Sequence, residues 1–207
     1  MTRGRFVSLE GGEGVGKSTQ ARLLAARLRV RGLEVVETRE PGGTAGAEAI
    51  RALLMQGHVD RWSARAEALL FAAARSDHVE RLIEPALARG AWVACDRYLD
   101  SSRAYQGGAG GVSDRDILAL HALGARLMPD RTLVLALGDD EGRARATQRD
   151  GEGADRFATR DADYARRLAE RFVAIAGAEP ARVRLVDASG PAELVAARIW
   201  ASIEDLA

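Results

Sequence analysis

Residues 11–18 read Gly-Gly-Glu-Gly-Val-Gly-Lys-Ser, a complete Gly-x-x-x-x-Gly-Lys-Ser phosphate loop. Such a loop works only when a buried strand delivers it and a helix begins inside it. Backbone N–H groups and the positive helix end then converge on one anion. Both neighbours are legible. Phe6-Val7-Ser8-Leu9 is a short apolar run, and Ser18-Thr19-Gln20-Ala21-Arg22-Leu23-Leu24 opens a helix with apolar positions at Leu23, Leu24 and Leu28. Lys17 is the only lysine, and every other one of the 30 basic residues is arginine. A compact ammonium reaches between the outer phosphates of a nucleotide, where a planar guanidinium would crowd the cradle. A nucleoside triphosphate site near the N-terminus follows.

The 207 residues suit one domain, 1–207, with a substantial core. Formal net charge is zero, so nothing in the balance asks for a nucleic-acid partner. The single cysteine, Cys95, excludes an internal disulfide, suits a reducing compartment and lies in the apolar run Ala91–Cys95, where a buried inert thiol is expected. His58, His78 and His121 have no second ligand at metal spacing and read as surface or structural positions. No apolar stretch is long enough to span a bilayer and no signal peptide is visible, so no membrane partner and a cytoplasmic location are expected.

Strand-like runs recur at Arg5–Leu9, Glu34–Thr38, Trp92–Cys95, Thr132–Leu137 and Arg184–Val186. Helical patterns lie between them. One opens at Ser63 and runs to about Arg89-Gly90, bending near Pro85; another opens at Ser113; the last opens at Gly190-Pro191 with proline at the first helical position. Gly107–Gly111 and Asp150–Ala154 read as flexible loops. The alternation predicts an α/β fold with a central parallel sheet of about five strands and helices on both faces. Ligands then gather at the C-terminal strand ends. Strand two leads there into Thr38-Arg39-Glu40-Pro41-Gly42-Gly43-Thr44, and strand three ends in Asp96-Arg97-Tyr98. The Asp96 carboxylate can orient a magnesium ion or its bound water, with Ser18 as the loop's own ligand. Counting removes two classes. Guanine-specific switches need a second lysine in Asn-Lys-x-Asp, and protein kinases need a lysine on another strand.

Taken in order, the loop with Glu13, Thr38–Thr44, Phe71-Ala72-Ala73-Ala74-Arg75 and Asp96-Arg97-Tyr98-Leu99-Asp100-Ser101-Ser102-Arg103-Ala104-Tyr105-Gln106-Gly107 closely resemble the bacterial thymidylate kinase family. The resemblance covers nearly the whole chain and implies a P-loop kinase fold that transfers phosphate from ATP to dTMP with Mg²⁺. It implies ATP contacts from Gly11, Gly12, Glu13, Gly14, Val15, Gly16, Lys17, Ser18 and Thr19. For dTMP it implies Phe71 stacked on thymine, Arg75 bonded to the base, and Ser102 and Gln106 near it. Ser101 and Glu40 are implied as further contacts, Arg39 as a phosphate contact and Arg97 as the clamp on the acceptor phosphate. Tyr105 would crowd the sugar 2′ position, and Glu13 would accept the 3′-hydroxyl. Spacing agrees at one point: Phe71 and Arg75, four apart, share a helix face. A homodimer is also implied, with helices near Ser63–Arg89 and Ser113–Leu127 as interface candidates.

An acceptor phosphate oxygen is already anionic, so no base is needed; the task is to hold two anions in line and neutralise charge. Lys17 and Arg97 suit that task. So do Arg149 and Arg156, which bracket a Gly-rich turn in an arginine-rich lid at about 143–160. Three positions depart from the family pattern: Ala158 and Ala162 stand where an acid and an aromatic are common, and Arg103 where a small or neutral residue is. Two other functions compete. A deoxynucleoside kinase would need a base just after strand two, where Glu40 lies. A nucleotide-gated switch would need large partner surfaces.

Overall fold

The computed structural model describes residues 3–58, 60–137 and 162–207. The lid stretch 143–160, with Arg149 and Arg156, lies outside the described residues. Five parallel strands form one sheet: β1 Phe6–Glu10, β2 Val35–Arg39, β3 Trp92–Asp96, β4 Arg131–Ala136 and β5 Val183–Asp187, in the order β2-β3-β1-β4-β5. β1 is central, with Leu9 opposite Asp96 of β3 and Leu133 of β4.

Alternation along β1 sorts its side chains between two layers. Val7 and Leu9 enter a core with α1 (Lys17–Val30), through Leu24 and Leu28, and with α8 (Ala192–Ala201), through Val195 and Ile199. Phe6 faces the other way, into a core built by α3 (Ala64–His78), α4 (Glu84–Ala88) and α6 (Asp114–Gly124). Ser8 and Glu10 share that second side with Phe6, and both are fully buried. α2 (Ala45–Met55), the four-residue α5 (Leu99–Ser102) and α7 (Ala162–Ala178) complete the α-helices among the described residues. Among the described residues no helix is long and apolar enough to cross a membrane.

The helix that opens at Ser63 does not run unbroken to Arg89. The α pattern ends at His78, a π-helical turn occupies Val79–Ile83, and α4 resumes. Pro85 explains the placement. Its ring displaces the carbonyl one turn earlier, and the ladder widens there, with Glu84 N–H donating to the Val79 carbonyl five residues back. Pro191 caps α8 in extended conformation (ψ 152°) rather than standing inside it. Gly107 and Gly108 belong to a second π-helical segment, Arg103–Ala109, and not to a loop. A Cβ on Gly108 would lie 2.6 Å from Cγ of Arg171, so close approach of α7 demands glycine there.

Arg103 has a structural explanation. It bonds Asp100 (3.1 Å), Asp114 (3.0 Å) and Glu179 (2.5 Å), while Arg182 also meets Asp100 (2.7 Å). Arg171 joins through Asp114 at 2.8 Å. This charge network ties α5 and its π-helical extension to α6 and α7. Arg166 pairs with Glu170 at 3.0 Å on the exposed face of α7, where Arg167 is also exposed.

Candidate active site

The phosphate loop leaves the end of β1 through Gly11, Gly14 and Gly16, with φ of 131°, 73° and 93°, values that L side chains rarely adopt. α1 begins at Lys17. The Lys17 side chain folds back to donate from Nζ to the Gly12 carbonyl at 2.5 Å and is buried. Burial, reinforced by the Arg97 charge, lowers its pKa to about 8. Ser18 donates its hydroxyl to Asp96 Oδ2, across the gap between the loop and β3. The other Asp96 oxygen, Oδ1, is buried without a hydrogen-bond partner. A hydroxyl beside a half-satisfied carboxylate is a hard-oxygen donor set. It fits Mg²⁺, which takes one or two protein oxygens and completes its shell with phosphates and water.

A cavity of about 400 Å³ opens beside the loop. Lys17, Ser18 and Asp96 lie at one end, and Phe71, Arg75, Ser102 and Gln106 line it further in. Arg97 and Tyr105 stand between. Arg97 sits just past β3 with φ 71° and is anchored by its own N–H on the Leu9 carbonyl (2.9 Å). Its guanidinium donates to the Gly11 carbonyl (3.1 Å), Ser101 Oγ (3.1 Å) and Tyr105 Oη (3.1 Å), and pairs with Glu13. Tyr105 in turn donates to Glu13 at 3.0 Å. Burial works against the Arg97 charge, but Tyr105, Glu13, Asp96 and Glu10 more than offset it, so the cation is held firmly.

At the inner end, Arg75 Nε donates to Glu40 (2.8 Å), and its Nη2 donates to Ser102 Oγ (2.9 Å) and the Tyr98 carbonyl (3.3 Å). The second Glu40 oxygen meets His78 Nδ1 at 3.1 Å, and His78 Nε2 meets Thr38 Oγ1 at 2.7 Å. Glu40 therefore holds Arg75 in place, with both carboxylate oxygens occupied. Gln106 donates Nε2 to Glu67 at 2.8 Å, which fixes the amide with nitrogen toward the carboxylate. Arg39 reaches the cavity rim and pairs with Glu48 at 3.0 Å.

The phosphate loop and a pocket that combines the Phe71 ring with Arg75, Ser102 and Gln106 thus line one cavity, with Arg97 on its wall. Comparisons agree with that geometry. The family model described as thymidylate kinase matches residues 9–199. A thymidylate kinase of Rhizorhabdus wittichii is 57% identical over 204 residues, covering 98% of each chain. One from Rhodopseudomonas palustris is 53% identical over 205 residues, covering 97% of this chain and 89% of that one. The chain belongs to the thymidylate kinase family. The crystal structure of the Ehrlichia chaffeensis family member superposes with a TM-score of 0.79 at 30% identity, covering 98% of this chain and 99% of that one. The P-loop kinase fold follows.

Of the described site residues expected from the sequence, Glu13, Gly16, Lys17, Ser18, Thr19, Arg39, Glu40, Phe71, Arg75, Asp96, Arg97, Ser101, Ser102, Tyr105 and Gln106 line the cavity, whereas the Val15 side chain packs into the core with Leu9 and Leu24. The structure adds others that sequence reasoning missed. Glu67 and His78 extend the Phe71–Arg75 face of α3 by one turn each way, so the i, i+4 and i, i+3 spacing already pointed to them. Arg51 lies on α2 and donates to the Pro41 carbonyl at 2.8 Å; the cap at Thr44, which accepts from Ala47 N–H, is the signal that marks this helix. Glu10 is an acid ending an apolar strand, directly before the loop. Cys95 is buried and its thiol is pushed well up by burial, as its apolar run implied.

The lowered Lys17 pKa has a kinetic consequence. The ammonium is the working form, and it loses its proton as pH rises. In the free enzyme kcat/KM for ATP should therefore fall on the alkaline side with an apparent pKa near 8. Bound phosphates favour the cation, so kcat should fall only at higher pH. A pH profile of both parameters checks this; a flat kcat/KM to pH 10 would contradict it.

Proposed function

We propose that the chain catalyses ATP-dependent phosphorylation of dTMP to dTDP, with Mg²⁺ as the metal. The observation that carries this reading is the single cavity running from Lys17 and Ser18, past Arg97, to the Phe71–Arg75 face. Arg97 lies on the wall of that cavity, where a donor and an acceptor phosphate would meet. Lys17 and the loop amides would hold the donor phosphates. Arg97, released from Glu13, would clamp the acceptor phosphate. When bound, Mg²⁺ would neutralise phosphate charge from Ser18 and Asp96. Phe71 would stack on the pyrimidine. The Gln106 carbonyl, with its nitrogen committed to Glu67, suits an imide N–H, and Arg75 suits a carbonyl; cytosine offers the wrong pattern at both. Arg39, Glu40, Ser101 and Ser102 support this end, and Glu13 would accept the sugar 3′-hydroxyl.

The deoxynucleoside kinase alternative is less favoured, because Glu40, its candidate base, is already committed to Arg75 and His78. The same reading gives a cytoplasmic enzyme acting as a homodimer, for which Leu69 of α3 and Leu123 of α6 are exposed. Light scattering showing only monomer would remove the dimer.

Substrate ranking tests the pocket. dTMP should exceed dUMP modestly, since one missing methyl costs about 1–3 kcal/mol. It should exceed UMP strongly, because a 2′-hydroxyl would press on Tyr105, whose own hydroxyl is already bonded to Glu13 and Arg97. Steady-state kcat/KM for the three nucleotides decides it; equal values for UMP and dTMP would remove the Tyr105 assignment.

The lid arginines complete the proposal. Arg149→Ala or Arg156→Ala should lower turnover by about 10²-fold with little change in dTMP affinity, as for a contact made mainly in the transition state. Arg167→Ala, on the exposed face of α7, should have a small effect. Equal small effects in all three variants would leave catalytic charge to Arg97 and Lys17 alone.

A further inference from the structure

Glu10 is the last residue of β1 and is fully buried. A carboxylate in that position needs a reason. Alternation puts it on the side of the sheet occupied by Phe6 and Ser8, under the turn that follows β3. Both of its oxygens accept hydrogen bonds from that turn: Oε1 from Tyr98 N–H at 2.8 Å, and Oε2 from the Ser101 hydroxyl at 2.5 Å. Ser101 Oγ also accepts from Arg97 Nη1 at 3.1 Å. The result is a directional chain in which the guanidinium donates to the hydroxyl and the hydroxyl donates to the carboxylate. Both Glu10 bonds fall on the segment directly after Arg97, a non-glycine residue held at φ 71°. One side chain therefore fixes both the backbone after Arg97 and one arm of its guanidinium.

We infer that Glu10 is a positioning residue for phosphoryl transfer, holding Arg97 for the acceptor phosphate through Ser101 Oγ and Tyr98 N–H. It touches no substrate in this assignment, which rests on the reading of Arg97 given above. The ionised carboxylate accepts at both oxygens. A proton on Oε1 would face the Tyr98 N–H, and one on Oε2 would reverse the hydrogen bond with Ser101, so protonation ends the directional chain. Burial, followed by the Asp100 charge, pushes Glu10 up to about 7, against the bonds from Ser101 and Tyr98 and the Arg97 charge. Among the described residues, Lys17 of α1, Arg75 of α3 and Cys95 of β3 also feel its charge; its β4 neighbour, Val134, is apolar.

The test is Glu10→Gln, which copies the shape of the protonated acid. At pH 8, kcat should fall about tenfold, the value of one broken hydrogen bond to a charged group, with a smaller change in the KM for ATP. The wild-type to variant ratio of kcat should then shrink as pH falls and approach one by pH 5.5, because wild-type Glu10 protonates and comes to resemble the variant. Ionisation of the nucleotide substrate affects both proteins alike and cancels in the ratio. The melting temperature at pH 8 should not drop, since a costly buried charge has been removed. Ser101→Ala breaks the same chain, so the double variant should be no worse than the poorer single one. A constant ratio across pH, or a loss of activity that tracks a loss of stability, would overturn the inference. Arg97→Ala measured alongside separates the two levels: full activity there would instead remove the reading of Arg97 on which the inference rests.

Discussion

Lys17→Met is expected to abolish phosphoryl transfer, lowering kcat by about 10³-fold or more, with the fold intact. The side chain is buried against the Gly12 carbonyl, so methionine fits the space and removes the charge together with the bond to Gly12. That charge is needed most when negative charge builds on the outer phosphates. Lys17→Arg tests the shape of the site separately. Arginine keeps the cation, but its planar fork does not fit a cradle closed by Gly11–Gly16, and it should also be severely impaired. Single-turnover kinetics with circular dichroism as a fold control measures both. Near wild-type turnover in Lys17→Arg would contradict the account of why this chain, with arginine everywhere else, keeps one lysine here.

Arg97→Ala should be nearly as damaging, at about 10³-fold in kcat/KM for dTMP. Two losses combine. The acceptor phosphate loses its clamp, and Glu13 loses its ion-pair partner and becomes a repelling charge beside the incoming anion. The double variant Arg97→Ala with Glu13→Gln should therefore recover part of the loss in dTMP KM while kcat stays low. A double variant worse than Arg97→Ala in both parameters would show that Glu13 contributes to binding independently of the arginine.

The strongest sequence signals were those with physical redundancy. At the phosphate loop the glycine spacing, the apolar run before it and the apolar helix positions after it all agreed, and β1, the loop and α1 stand where they indicated. Strands two and three, expected to end at Thr38 and Cys95, end one residue later, at Arg39 and Asp96. Other features depended on tertiary approach and left weaker marks. Pro85 signals a break, but the form the break takes, a π-helical turn over Val79–Ile83 before the proline, is not written in the apolar pattern. Gly107-Gly108 looked like a loop because glycine favours loops, whereas Gly108 is there to admit Arg171 of α7. Arg103 reads as a departure in the sequence because its partners other than the nearby Asp100 come from elsewhere, Asp114 from α6 and Glu179 from just past the end of α7. Glu40 was legible as a site residue, but its bonds to Arg75 and His78 are long-range and invisible to spacing.

The most direct measurement is a coupled assay of ADP release with Mg²⁺–ATP and, separately, dTMP, thymidine or no acceptor, with products identified by chromatography. The account predicts rapid ADP release with dTMP alone, matched by dTDP, and only background with the other two. Phosphorylation of thymidine in place of dTMP, or ADP release that does not depend on an acceptor, would contradict it.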